Sequence, residues 1–363
     1  MKNYRHVADR STLALLTATT VLYLSFLAYL LVVLKMNLLS GDARGYWMFS
    51  QDIPHCPLGV AWVPGYPVLI AALRSLTFGT VPPLVLMLTI TGISYLLAIW
   101  TVDRLARAAG IPFPSLVAMV FAVSPFSGLF YGVYPIADTM TIALLLATVL
   151  ALEKARWPAF IVLGGASLVA HKIAWFFIPL MMLIAFVKHK EVRPFLVLML
   201  VPLFAWFVFG SFHHPGVLWF LEDSYKGHFA SLGRLPVLDG LVGPLTSGNG
   251  PKVLKGILVA TVLCLAAVSA FLCYRRRFWS GAAISLSLVL MAVTINSWEI
   301  WAVMRYSRML VIPLAFLAAK RGPKLTKSSR WCVATLLIVT CIASNAAWAY
   351  YWGIWKSPDL GLP

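Results

Sequence analysis

Long apolar runs separated by short polar stretches form the main pattern of this chain. A membrane-crossing helix needs about 20 predominantly apolar residues, and several runs reach that length. The pattern predicts an all-α, polytopic transmembrane protein in which residues 1–363 form a single transmembrane domain. We expect about eleven membrane helices, near 12–34, 81–102, 113–132, 134–152, 157–170, 173–187, 194–212, 256–274, 279–297, 303–319 and 331–352.

The composition agrees with this pattern. Hydrophobic residues make up 61% of the chain, charged residues only 11%, and the mean hydropathy is +0.87. A soluble protein carries roughly a quarter charged residues, so lipid is the expected solvent for most of this surface. The first run, 12–34, is too long for a signal-peptide core, and we interpret it as a membrane helix.

The two short runs 157–170 and 173–187 decide the predicted sidedness. If they formed one long helix, every later segment would change sides. Taken as a pair, they place most of the 29 basic residues in short loops on the side of the N-terminus. The positive-inside rule makes that side the cytoplasm and puts the C-terminus outside. Because the net charge of +17 is dispersed between apolar runs, we expect no nucleic-acid partner.

The acidic residues are divided between the two predicted faces. On the cytoplasmic face we expect solvated charges at Asp9, Asp103, Glu153 and Glu191. The outer face holds a first loop, 35–80, a second loop, 212–255, and a short segment near 296–308. The other eight acids gather there and suggest a polar cavity: Asp42, Asp52, Asp138, Glu222, Asp223, Asp239, Glu299 and Asp359.

The first outer loop begins with the stretch Gly41-Asp42-Ala43-Arg44-Gly45-Tyr46. If this stretch is helical, Asp42, Gly45 and Tyr46 share a face. Asp42 is then either a catalytic carboxylate or simply the cap of a short helix. Arg44 is one candidate partner for an anion.

Two further stretches on the outer face leave alternatives open. Pro64-Gly65-Tyr66-Pro67 is either irregular backbone lining a wet cavity or a turn into an interfacial helix. Asp138 ends a stretch that runs from Ser124-Pro125-Phe126 through Tyr131-Gly132-Val133-Tyr134-Pro135, which we interpret as a tight outer turn, and it is either a functional acid or a helix cap.

Basic side chains at two outer helix junctions suit a phosphate. Lys172 either snorkels toward water or binds a phosphate, and His171 beside it could donate a hydrogen bond or shuttle a proton. Arg305 and Arg308 share a helix face, where they either bind a phosphate or anchor a lipid head group.

The histidines and cysteines carry no recognisable metal or disulfide pattern. The histidines of the second outer loop are His213, His214 and His228, and their spacing to Glu222 and Asp223 fits no metal motif. Five cysteines show no paired framework, so we expect neither an obligatory disulfide nor a metal site.

The order of these motifs resembles the GT-C class of multi-pass glycosyltransferases, and within it the GPI mannosyltransferase branch and its bacterial homologues. The chain has Gly-Asp-x-x-x-Tyr after the first helix, then Pro-Gly-Tyr-Pro, Ser-Pro-Phe, Tyr-Pro-x-x-Asp and finally Arg-Tyr before a late helix. The resemblance covers roughly residues 12–190 and is weaker over 290–320. It implies transfer of a polyprenyl-phosphate-linked sugar on the non-cytoplasmic face, usually without a nucleotide.

By position, the resemblance gives Asp42 the place of the catalytic acid in the first outer loop, and Asp138 that of a second acid. It assigns His171-Lys172 and Arg305-Tyr306 to the donor side. Two departures bear on the sugar: Gly41 stands where that branch tends to have an aromatic residue, and His171-Lys172 where it tends to have Arg. Mannose is therefore only the first candidate for the sugar.

These residues suggest a mechanism. Asp42 is the expected general base, and one carboxylate suffices for direct, inverting displacement. Lys172, Arg305 and Arg44 would stabilise the phosphate, with His171 and Asp138 in supporting roles. We expect Tyr46, Tyr66 and Tyr306 to bind substrate.

The expected partners are a polyprenyl-phosphate sugar donor, membrane lipid and a glycan, lipid or protein acceptor. No cofactor is certain, and a divalent metal is left open. The expected location is the plasma or inner membrane. The alternatives are a lipid-linked saccharide transporter, a surface-polysaccharide polymerase or ligase, and a non-enzymatic scaffold. A transporter usually carries charges near the middle of its membrane helices, which the predicted spans lack.

Overall fold

The secondary structure is helical wherever the chain is described. A computed structural model describes residues 2–39, 41–53, 63–124, 128–213, 250–294, 305–321 and 327–356. These ranges contain helices and no strand, which confirms the all-α prediction for them. Predicted features in the remaining ranges lie outside the described residues, among them Cys56, His214, His228, Glu222, Asp223, Asp239, Glu299 and Asp359.

The helices in the first half of the chain overlap the predicted apolar runs, and some of their bounds differ. A π-helical turn, Tyr29–Val33, extends the first helix. The helices are α1 (Lys2–Ala28), α2 (Asp42–Gln51), α3 (Gly65–Leu76), α4 (Pro83–Ala108), α5 (Pro114–Ala122), α6 (Gly128–Val133), α7 (Ala137–Glu153), α8 (Trp157–Ala170) and α9 (Ala174–Lys188).

The second half adds longer helices and two 3-10 segments. A 3-10 segment, Lys190–Leu200, leads directly into α10 (Val201–His213), and a shorter one, Ser307–Leu310, leads into α13 (Val311–Arg321). The other helices are α11 (Gly250–Arg275), α12 (Trp279–Thr294) and α14 (Lys327–Lys356).

The centre of the helical core is α7, which packs along α4 and α8. Its side chains are buried nearly all round, including Ile142, Leu146 and Val149. A helix that is apolar on every face must be surrounded by protein or lipid, and here protein supplies most of that contact. The N-terminal end of α7, which carries Asp138, is therefore held firmly by its neighbours.

The predicted pair of short helices is confirmed as two helices, α8 and α9. A turn at His171–Ile173 separates them, and a proline in the first turn of α8 suits a helix start. With 14 and 15 residues, they are about 21 and 23 Å long. Each is shorter than the roughly 30 Å hydrocarbon core.

The prediction of one continuous helix over 113–132 is wrong. The chain instead forms α5 and α6, which are separate helices on either side of residues 123–127. Pro125 lies between them, and proline removes a backbone donor and clashes with the preceding turn of a helix. This α5–α6 break becomes important for the site described below.

Four helical stretches are long and apolar enough to cross a bilayer: Arg10–Val33, Pro83–Ala108, Lys190–His213 and Gly256–Arg275. Six shorter apolar helices accompany them in the described ranges. Large apolar side chains are exposed on α1, α8 and α10, for example Leu24, Val162 and Phe204. Apolar surface on this scale is unusual for a soluble monomer, and these features indicate a helical membrane protein.

Three basic helix junctions lie together at the end of the molecule opposite the N-terminus of α7. Ser280 at the start of α12 donates a hydrogen bond to Glu153 at the end of α7. Lys188 at the end of α9 lies over the Trp279 ring, 4.6 Å from its centroid. The α7–α8, α9–α10 and α11–α12 junctions therefore share one end of the molecule.

The prediction of a solvated Asp103 is wrong, because its side chain is fully buried. Arg107 donates to both its carboxylate oxygens at 2.8 and 3.0 Å, and the Ser115 and Thr12 hydroxyls donate at 3.0 and 3.2 Å. These contacts join α1, α4 and α5, so this carboxylate has a structural role. Glu153 and Glu191, in contrast, are exposed as expected.

Candidate functional site

Asp42 is the first residue of α2 and is exposed. The N-cap is Gly41, with φ +53° and no side-chain capping bond, so the interpretation of Asp42 as the cap is wrong. Gly41 suits this backbone conformation because it lacks a Cβ, and a Cβ there would lie 3.6 Å from the Tyr134 hydroxyl. The start of α2 thus lies against the turn that precedes α7.

Asp42 and Tyr46 are four residues apart on α2, but their environments differ. Tyr46 is only 6% exposed, and its ring meets that of Tyr66 edge-on at 5.1 Å. Burial raises the pKa of the Tyr46 hydroxyl well above its ordinary value, and the negative charges of Asp138 and Asp42 raise it further. Tyr46 therefore lies within electrostatic reach of both predicted acids.

Tyr66 belongs to a helix, α3, rather than to irregular backbone. Pro64 is the N-cap residue, which supports the interpretation of this stretch as a turn into a helix. A Cβ on Gly65 would lie 2.5 Å from the Val169 carbonyl oxygen, so only glycine permits this approach of α3 to α8. The approach places buried Tyr66 beside the end of α8, just before His171.

Asp138 is the second residue of α7, and its side chain is only 3% exposed. Ile136 is the N-cap of α7, so the interpretation of Asp138 as a helix cap is wrong. Arg305 donates from Nη1 to Asp138 Oδ2 at 3.3 Å, and its guanidinium lies 4.7 Å from the Tyr131 ring centroid. The charges of Asp138 and Asp42 both act on this guanidinium.

Arg308 lies deeper than Arg305 and is 2% exposed. Its Nη1 donates to the Gly128 carbonyl and its Nη2 to the Thr139 hydroxyl, both at 3.3 Å. The guanidinium also lies 5.5 Å from the Phe121 ring centroid. The interpretation of Arg308 as an exposed lipid head-group anchor is therefore wrong.

Asp138, Arg305, Tyr306 and Arg308 form what we call the arginine cluster. The Tyr306 side chain is fully buried, and its hydroxyl lies close to the Asp138 carboxylate without hydrogen-bond geometry. Arg305 thus pairs with one buried carboxylate, whose charge also acts on Arg308. Within the described residues, Asp138 Oδ1, Arg305 Nε and Arg308 Nε are buried without a hydrogen-bond partner.

Unpaired polar atoms are rare in folded interiors and call for an explanation. The excess of cationic groups in the arginine cluster favours an anion, and the two Nε–H groups are donors that an anion could accept from. Guanidinium groups also match the oxygen geometry of a phosphate better than ammonium groups do.

His171 and Lys172 occupy the α8–α9 turn, and both are half-buried. The backbone N–H of Ile173 donates to His171 Nδ1 at 3.3 Å, so the neutral ring carries its proton on Nε2. The His171 ring centroid lies 6.3 Å from that of Tyr306. The turn therefore borders the arginine cluster, as its predicted donor-side role requires.

The structure brings most of the predicted site residues to one end of the helical core, but not all of them. Asp42, Tyr46, Tyr66, Asp138, His171, Arg305 and Tyr306 are linked there by the contacts described above. Arg44 is exposed on α2, and within the described residues no hydrogen bond or ion pair connects it to the arginine cluster. In the described ranges, no three His, Cys, Asp or Glu side chains are arranged to hold a metal ion.

No role was predicted for three residues that contact or position the arginine cluster. The guanidinium of Arg305 lies over the ring of Tyr131, and the Thr139 hydroxyl accepts a hydrogen bond from Arg308. Asn345 of α14 hydrogen-bonds to the backbone at the α5–α6 break. Asn345 had a detectable signal, because a lone amide in an apolar span is costly unless it is paired. Tyr131 lies in the predicted turn before Asp138 but received no role of its own, and nothing in the sequence distinguished Thr139 from its neighbours.

The fold and site thus define a helical membrane protein with a buried, arginine-rich polar cluster at one end of its core. Comparison of the chain with protein-family models, with curated proteins and with solved structures gave no match.

Proposed function

We propose that this chain is a multi-pass membrane glycosyltransferase of the GT-C class. It moves a sugar, with mannose as the first candidate, from a polyprenyl-phosphate donor to an acceptor hydroxyl. One observation supports this proposal above the others. The arginine cluster contains two guanidinium groups and one carboxylate, of which Arg305 pairs directly with Asp138, and it lies beside the helix that carries exposed Asp42.

The cationic excess suits a lipid-linked phosphate because the charge on that group grows during transfer. The donor is a phosphodiester with one negative charge, and the departing polyprenyl phosphate becomes a monoester. Groups placed where charge develops stabilise the transition state more than the ground state. Arg305 and Lys172 are the proposed phosphate-binding groups.

The reaction is a single displacement. The Asp42 carboxylate takes the proton of the acceptor hydroxyl as that oxygen bonds to the anomeric carbon. The bond between the anomeric carbon and the phosphate oxygen breaks, and its electron pair leaves with the polyprenyl phosphate. One carboxylate acting as base gives inversion at the anomeric carbon. Asp42 is exposed, as a group that meets an incoming acceptor must be.

The remaining site residues have supporting roles. Asp138 holds Arg305 in place through its ion pair. Tyr46 on α2 packs against Tyr66 of α3, and His171 lies beside Tyr306 of the arginine cluster. We assign these four side chains to substrate binding.

The proposed sidedness places this site on the non-cytoplasmic face of the plasma or inner membrane. The basic helix junctions that share the opposite end of the molecule support this orientation, since short basic loops favour the cytoplasm. The tail of a polyprenyl donor would stay in the lipid while its phosphate entered the protein.

The test is turnover by purified protein with a panel of polyprenyl-phosphate sugars, each with and without a divalent metal. Asp42→Asn should abolish transfer without changing the thermal unfolding temperature, because its side chain is exposed. Asp52→Asn, at the other end of α2 and also exposed, is the matched control and should keep wild-type turnover.

Three outcomes would contradict the proposal or part of it. Wild-type turnover by Asp42→Asn would remove Asp42 from the role of base. Failure of the wild-type protein to use any donor, combined with movement of a lipid-linked saccharide across vesicles, would favour the transporter. Transfer only from lipid-linked oligosaccharides would favour a polysaccharide polymerase or ligase.

A further inference from the structure

The last helix places one polar side chain in the helical core. Asn345 of α14 is 0% exposed, and it lies in a run without charged residues. Its amide donates to the Cys341 carbonyl of its own helix at 2.8 Å, which satisfies one part of its hydrogen-bonding capacity. Since an unpaired buried amide is costly, the remaining partners show why this residue is tolerated here.

Those partners are the backbone groups on both sides of the α5–α6 break. Asn345 Oδ1 accepts from the N–H groups of Leu129 and Phe130 at 3.0 and 3.2 Å. These are first-turn donors of α6, which have no partner within their own helix. Asn345 Nδ2 also lies 3.1 and 2.9 Å from the carbonyl oxygens of Val123 and Ser124, so its two hydrogens are shared among three acceptors. One side chain therefore joins the end of α5 to the start of α6.

The same short helix, α6, contacts both arginines of the arginine cluster. The Gly128 carbonyl accepts from Arg308, and the Tyr131 ring carries Arg305. Gly128 is itself tightly placed, because a Cβ there would lie 2.5 Å from the Ala122 carbonyl oxygen. A shift of α6 relative to α5 would thus move the groups that orient the two guanidinium groups.

We propose that Asn345 is a positioning residue that acts on the arginine cluster through α6. It sets the geometry of the α5–α6 break, and the break sets the directions of Arg305 and Arg308. This inference rests on the proposed glycosyl transfer. Because the guanidinium groups stabilise charge that grows in the transition state, loss of Asn345 should lower kcat far more than it changes KM.

The test compares two variants of the full-length protein in α14. Asn345→Leu keeps a branched side chain and loses all the hydrogen bonds. Ala349→Val adds volume one turn later, at a fully buried position that makes none of these hydrogen bonds. Measured per folded protein and well below the unfolding temperature, kcat should fall about 10- to 100-fold for Asn345→Leu. It should stay within about twofold of the wild type for Ala349→Val.

A double-mutant cycle separates positioning from general loss of packing. Tyr131→Leu removes the ring that carries Arg305. If Asn345 acts through α6, the kcat losses of Asn345→Leu and Tyr131→Leu will be strongly non-additive. For Ala349→Val combined with Tyr131→Leu, the fold decrease in kcat should instead equal the product of the two single decreases.

The outcomes distinguish this inference from the proposed function. An active wild-type enzyme, with Asn345→Leu no worse in kcat than Ala349→Val, overturns the positioning role and leaves glycosyl transfer standing. A wild-type protein inactive with every donor overturns both. Amide hydrogen exchange at Leu129 and Phe130 reports on the break itself, and unchanged exchange in Asn345→Leu also overturns the inference.

Discussion

Replacing Asp138 with Asn tests the charge balance of the arginine cluster most directly. The substitution keeps the shape of the side chain and removes the only carboxylate that the described residues place among the two guanidinium groups. Arg305 then loses its ion partner, while Arg308 keeps its bonds to Gly128 and Thr139.

The size of the effect follows from distance and burial. At 3.3 Å, two unit charges attract by about 5 kcal/mol in a medium of effective dielectric constant ~20. Part of this is offset because the carboxylate no longer has to be desolvated, and the amide oxygen can still accept from Arg305. Removing one partner of a buried pair costs about 3–5 kcal/mol in measured cases, and we expect the lower end of that range.

The assay is thermal unfolding of the purified protein, followed by tryptophan fluorescence. At about 2 °C per kcal/mol, Asp138→Asn should lower the unfolding temperature by about 6 °C. The control is Glu191→Gln, an exposed acid near His189, which should change it by about 1 °C or less. Asp138→Asn combined with Arg305→Met should recover part of the loss, because the unpaired charge is gone.

The same variant reports on anion binding. Asp138→Asn raises the positive charge of the arginine cluster, so inorganic phosphate should stabilise this variant more than the wild type. An unfolding temperature no lower than that of Glu191→Gln would refute the buried ion pair. Equal phosphate effects on variant and wild type would show that the arginine cluster does not attract anions.

Two further predictions concern the scaffold. Gly65→Ala should destabilise the protein by about 1–3 kcal/mol, because its Cβ would meet the Val169 carbonyl; Gly92→Ala, where space exists, is the control, and equal unfolding temperatures would contradict the close approach. Asp103→Asn should lower stability by about 1–3 kcal/mol in the same unfolding assay, a modest value because Arg107 is 27% exposed. A decrease in unfolding temperature no larger than that of Glu191→Gln would show that the hydrogen bonds of Asp103 do not contribute to stability.

The sequence predicted the class of fold because membrane helices are encoded locally. Apolar length and period are properties of consecutive residues, so the bounds of α7, α8 and α9 agree with the predicted runs within a few residues. The alternation of helices also indicated that Asp42, Asp138, His171 and Arg305 share one end. Such topological statements need only the number and order of helices.

The errors arose where one residue type has two local uses. An acidic residue near a helix start either caps that helix or interacts with groups on other helices. Asp42 and Asp138 both proved not to be caps. A charge near a helix end is solvated or paired, and Asp103 proved buried and paired. The choice depends on what the neighbouring helices bring to that point.

By itself, the sequence determined that this chain is helical and apolar, and which residues stand at the ends of its helices. Only the tertiary structure decided which of those residues meet. Asp138 pairs with Arg305 across 167 residues of chain, and Asn345 binds α6 across more than 200. The physical reason is that hydrogen bonds and ion pairs act over a few ångströms in space, while the order of residues constrains only neighbours along the chain.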